Sequence, residues 1–160
     1  MSYYPPPAFH FAVVVPSLLP PSAHDACFSE VGGLSMEMGS EEVPEGGENR
    51  FVQKYPLRAK YPELSLKRGL LVRSGVFDWI RECIQDYKIV PRDVDVILLN
   101  TEHQPLFAWH LVNAYATKWA LADLNASANA VSVETLQLFY QYFTVDRTPV
   151  PPTPAIPSRL

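Results

Sequence analysis

The residues of this chain whose chemistry could build a site are four histidines, two cysteines, the glycine pair Gly46-Gly47 and three tryptophans. His10, His24, His103 and His110 lack the close-set ligand pairs of a metal site. His10 and His110 fall inside strand patterns and read as sheet residues. Gly46-Gly47 is followed by Glu48-Asn49. A phosphate cradle needs a lysine and a hydroxyl residue there, and a carboxylate would repel the ligand. The glycines read instead as a hairpin tip, where a positive φ is needed. No G-x-S-x-G is present to present a strained nucleophile. Cys27 and Cys83 stand far apart and read as two buried apolar side chains of a reduced protein. Trp79, Trp109 and Trp119 could form a sugar platform, but one falls in a helical pattern and two in strands, where aromatics fill cores. Asn125-Ala126-Ser127 matches the glycosylation triplet, which without a secretory signal is a chance match. These residue types point to no enzyme, no metal and no cofactor.

The chain has 160 residues, enough for one domain with a real core. Its formal net charge of −4 supplies no basic footprint for nucleic acid. Residues 1–7 carry no positive charge, and the apolar stretch from Phe9 to Val15 stops at Pro16, unlike a secretory signal. No run approaches the ~18 apolar residues that cross a bilayer, so no membrane anchor is expected.

Prolines gather at the two ends, in Pro5 to Pro7 and from Pro149 to Pro157. Proline removes a backbone donor, so residues 1–7 read as an extended arm and 146–160 as a Pro-rich flexible tail. A β domain over 8–145 lies between them. Strand patterns run through Phe9 to Val15, Phe28 to Met38 (with Leu34, Met36 and Met38 on one face) and Leu64 to Lys67. Asp93 to Leu99 alternates and then turns continuously apolar, which predicts burial on both faces. Asn100 to Gln104 predicts a polar turn into a strand from Pro105. Further strands are expected over Tyr115 to Leu121 and Val131 to Phe143. In the last, the apolar phase shifts from odd to even numbers, predicting a bulge near Thr135 or burial of both faces. A single helix is predicted over 74–87, with Ser74 as cap, Asp78 in the first turn and an apolar stripe from Val76 to Tyr87. The expected fold is mainly β (α+β), a sandwich or partly open barrel with one packed helix.

Segment 39–56 is the strongest functional candidate, with charges of both signs (Glu41, Glu42, Glu45, Glu48, Arg50 and Lys54) around a Gly-Gly tip. Here the chain resembles a known family. Glu45-Gly46-Gly47-Glu48-Asn49-Arg50-Phe51, Lys60-Tyr61-Pro62-Glu63-Leu64 and Leu66-Lys67-Arg68-Gly69 look like the inner tail tube proteins of contractile phages and phage-tail-like injection particles. Phe28 to Leu34, Trp109 with Asn113 to Tyr115, Lys118-Trp119, and Glu134 to Leu136 with Tyr140 continue the series. The likeness covers about residues 4–143.

That resemblance implies a hexameric ring, stacked with others into a hollow tube inside a contractile sheath for delivery of cargo or DNA. Segment 39–56 becomes an arm reaching a neighbouring subunit. The implied inter-subunit contacts are Glu41, Glu42, Glu45, Gly46, Gly47, Glu48, Asn49 and Arg50, with Lys67 and Arg68. The implied partners are further copies of the chain, sheath, baseplate or spike, and other tube proteins. Nucleic acid enters only as lumen cargo. Synthesis is expected in the bacterial cytoplasm, with incorporation into a particle released by lysis. Two roles stay open: main tube subunit and tube initiator at the baseplate. The Glu-Asn-Arg-Phe form of the arm and the Tyr-Tyr-Pro-Pro start lean to the initiator. The Pro-rich tail departs from the compact ending of the family. The competing class is a monomeric β-rich module that binds a small ligand or glycan.

Overall fold

The computed structural model describes residues 10–18, 27–47, 49–71, 74–100, 102, 104–125, 127 and 132–146. The arm over 1–7, His24, Glu48, His103 and the tail from 147 lie outside these residues. The chain forms β1 (His10–Val14), β2 (Cys27–Phe28), β3 (Glu30–Gly32), β4 (Glu37–Val43), β5 (Gln53–Lys60), β6 (Leu64–Gly69), α1 (Gly75–Ile84), β7 (Arg92–Leu99), β8 (Pro105–Leu121), β9 (Val133–Phe139) and β10 (Tyr142–Asp146). Eight strands follow the order β2-β1-β7-β8-β9-β6-β3, with β10 also on β8, and all pairings are antiparallel. The order begins and ends within one short segment. β2 pairs with β1 while β3, just beyond it, pairs with β6, and Ser29 N–H donates to Lys67 O at 2.8 Å between them. The sheet therefore curls around its core as a partly open barrel.

Alternation explains the core. In β6 and β9 every second residue is inside, with Leu64, Leu66, Leu136 and Leu138 at 0–1% exposure. Val94, Val96, Leu111, Ala114, Ile80 and Trp79 complete the centre. In β7, Ile97 and Leu99 are only half-buried. The continuous apolar run thus keeps its alternation rather than burying both faces.

Four further expectations change. The strand expected over Phe28 to Met38 is broken, because Gly33 turns at φ +90° and β4 begins only at Glu37. Leu34 packs on the core while Met36 and Met38 stand 65% and 66% exposed. The segments around Trp109 and Trp119 form one 17-residue strand, bent at Asn113 (φ +50°) and shifted in register between Ala116 and Lys118. The helix ends at Ile84, not Tyr87; Tyr87 adopts φ +51° and is 86% exposed. Finally, β9 keeps its register through Thr135 with both neighbours, and the shift against β8 falls farther on, opposite Gln137 and Leu138. The phase never switches there, because Glu134 is itself inside, 1% exposed beside Leu136.

Other expectations stand. Ser74 caps α1, its hydroxyl accepting from Phe77 N–H at 3.1 Å. Asn100 closes the β7–β8 turn, its Oδ1 accepting from Glu102 N–H at 2.9 Å and Gln104 N–H at 2.8 Å.

Candidate assembly interface

Strands β4 and β5 pair with each other and with no other described strand. Nearly all of their residues are exposed, including many that are apolar. Met38, Val43, Tyr55 and Leu57 are 41–66% exposed, and Phe51 and Val52 in the loop are 53% and 48% exposed. A lone two-stranded hairpin is marginal in water, and apolar residues on both strands make it a surface awaiting a partner.

The register sorts its two faces. Glu41 lies opposite Tyr55 and Val43 opposite Gln53, while Gly39 sits 3.5 Å from the Leu57 side chain at the position of an added Cβ. Glu41, Val43, Tyr55 and Leu57 therefore share one face. The other face carries Glu42 and Lys54, paired at 2.9 Å. That pair is more than half exposed on both sides and so fixes little energy. At the tip, Gly47 adopts φ +97°. Gly46, Gly47, Glu45, Asn49 and Arg50 are all solvent-exposed.

The root of the hairpin is held firmly. Just before β4, the Gly33 carbonyl accepts from the Tyr140 hydroxyl at 3.0 Å. A Cβ on Gly33 would sit 2.1 Å from the Glu63 carbonyl oxygen, so the two ends of the hairpin approach each other as only glycine allows. Just after β5, Tyr61 packs edge-on to Tyr140 and Phe143, at centroid distances of 6.1 Å and 5.5 Å. Burial, with Tyr61 beside it, pushes the Tyr140 hydroxyl above its ordinary pKa. Its proton is held on the oxygen that donates to Gly33.

Lys67 and Arg68 separate from the arm. Lys67 donates to Glu30 on β3 at 2.8 Å. Arg68 is 2% exposed and faces the core from β6. Its Nε donates to Glu134 on β9, and its Nη2 donates to the Ser74 hydroxyl at 2.6 Å. Trp119 Nε1 donates to the other Glu134 oxygen at 3.0 Å, and the guanidinium lies 5.0 Å from the Phe28 ring centre. Arg68 thus ties four elements of its own subunit together and anchors the N-terminus of α1. The sequence carried a faint sign of this pair: Glu134 keeps the phase of Leu136, Leu138 and Tyr140. The Gly33–Tyr140 clamp left no comparable sign, because its partners are far apart in sequence.

The chemical candidates disperse. His110 bonds the Asp95 carboxylate and lies 3.8 Å from Asp93, a cross-strand pairing on an exposed face. Among the described residues no His, Cys, Asp or Glu cluster could hold a metal. Cys83 is a buried free thiol of α1. Trp79 is 2% exposed, and Trp109 and Trp119 pack against the core, so the three form no sugar platform. Among the described residues no helix is long and apolar enough to cross a membrane.

A family model described as T4-like virus tail tube protein gp19 matches residues 7–144. Among solved structures, a chain of the anti-feeding prophage baseplate, 6-fold symmetrised, is 27% identical with a TM-score of 0.79, covering 91% of this chain and 97% of that one. A chain of the sheath-tube complex of an extracellular contractile injection system (PVC) in its extended state is 24% identical, with a TM-score of 0.76 and coverage of 91% and 94%. The fold extends to Hcp1 from Flavobacterium johnsoniae, at 11% identity, a TM-score of 0.51 and coverage of 87% and 96%. No curated protein matches the chain.

Proposed function

The chain belongs to the T4-like virus tail tube protein gp19 family, and from that premise we propose that it assembles as hexameric rings that stack into the hollow inner tube of a contractile tail or injection particle. The observation that carries this reading is the β4–β5 hairpin. Its root is clamped to the barrel by Gly33, Tyr61 and Tyr140, while its shaft displays Tyr55, Leu57 and Val43 to solvent. A rigidly mounted apolar arm that packs against no other described strand suits a contact between copies. The role is structural and non-enzymatic. Sheath, baseplate and other tube proteins are the partners, and the particle is assembled from protein made in the bacterial cytoplasm.

Head-to-tail contacts are heterologous, the geometry that permits open-ended polymers. The mixed charges of Glu41, Glu42, Glu45, Arg50 and Lys54 set register in such a contact more than they set affinity. Within the family, the tube-initiator role is favoured by the Glu-Asn-Arg-Phe arm and agrees with the likeness to a baseplate chain. Negative-stain electron microscopy of the purified protein tests the proposal. Long hollow tubes identify a main tube subunit and single six-fold rings an initiator. Monomers at every concentration, stabilised by a glycan, would instead establish a binding module.

A further inference from the structure

Resting on the tube reading, we infer that the hairpin of one copy docks its Tyr55 face into the groove between α1 and the second half of β8 on the next copy. The groove has a volume of about 270 Å³ and is lined by Phe77, Ile84 and Trp119, with Arg81 and Lys118 at its sides. Its floor is preformed, since Phe77 and Trp119 meet edge-on at 5.3 Å and Ile80 is 1% exposed. Its size falls below the roughly 300–1,000 Å³ of sites that enclose small molecules. It suits one inserted anchor side chain.

Two features select the hairpin as occupant. The first is charge. Among the described residues that line the groove none is a carboxylate, and the two charged ones are cations. The apolar face of the hairpin carries Glu41 directly opposite Tyr55, with Glu45 beyond it towards the tip. The second is shape and chemistry. Tyr55 is 51% exposed between Val43 and Leu57, a protruding aromatic with an apolar surround, the kind of residue that dominates interface energetics. Soon after Ile84 in the chain, Tyr87 and Ile89 add further exposed apolar side chains to the acceptor. Because donor and acceptor surfaces differ, the contact propagates from copy to copy.

The test places photo-crosslinking benzoylphenylalanine at Tyr55 of the full chain, with mass-spectrometric mapping of the adducts. The expected adducts join copies through residues 77–85 or 117–119. Alongside, Arg81→Glu with Lys118→Glu should lower assembly by about tenfold or more, as loss of close interfacial charge pairs does. Adding Glu41→Lys and Glu45→Lys to the same chain should restore it. Rings or tubes that crosslink elsewhere, or that ignore the charge reversal, would overturn this docking while leaving the tube reading intact. A wild-type chain that never assembles would overturn both.

Discussion

Strands β6 and β9 and strands β4 and β5 are both antiparallel pairs within one chain, yet they treat their side chains in opposite ways. Along β6 and β9 every second residue is inside, and even an ion pair, Arg68 with Glu134, is sealed there at 2% and 1% exposure. Along β4 and β5 nearly every residue faces water, apolar ones included. The first pair is finished within the subunit. The second has its backbone ladder but no packing partner among the described residues, and its apolar area becomes favourable only when another surface covers it. What joins the two regions is the clamp at the hairpin root, where Gly33, Tyr61 and Tyr140 fix the arm to the barrel.

The contrast can be broken most severely from inside. Arg68→Ala or Glu134→Ala leaves a buried charge without its partner and should cost about 3–5 kcal/mol in denaturant unfolding. Arg68→Met combined with Glu134→Leu should cost less than either single change, since the apolar pair removes both charges. A double variant worse than both singles would show that the pair is needed for more than charge balance. At the root, Gly33→Ala should cost roughly 3 kcal/mol, because it places an L residue at positive φ against the Glu63 carbonyl. Limited proteolysis should then cut near the hairpin sooner.

Tyr140→Phe is milder, about 1 kcal/mol, since Gly33 O also accepts from Ser35 N–H. The same residue carries a pH signature. The folded Tyr140 holds its proton more tightly than the ordinary value of 10.0. Its contribution to stability is therefore complete below about pH 10 and is lost as pH rises from there through the raised folded pKa. Thermal melts should fall less steeply above pH 10 in Tyr140→Phe than in the wild type. Equal slopes would mean that the hydroxyl is not held as described.

Much of the barrel was legible from period-two patterns, because alternation is a local property. The turn at Asn100 and the cap at Ser74 were equally local and equally readable. What failed was non-local. The break at Gly33 depends on the approach of the Glu63 carbonyl, two strands later in the chain. The supposed phase switch at Thr135 arose from treating Glu134 as outward, when Arg68 across the sheet makes it an inward residue. Placing Arg68 among the inter-subunit contacts likewise left out its partner across the sheet. For the proposed arm, the charges and the Gly-Gly tip marked an exposed hairpin, but its apolar face emerged only once the register set Tyr55 opposite Glu41.

The smallest expected effect on the fold accompanies the largest on assembly. Replacing residues 39–50 by a short linker should change unfolding free energy by less than about 1 kcal/mol, since nearly all of the shaft is exposed among the described residues. Sedimentation and electron microscopy of this variant beside the wild type test the central claim directly. Rings or tubes are expected from the wild type, and a folded, unassembled chain from the variant. Normal tubes from the shortened chain would contradict it.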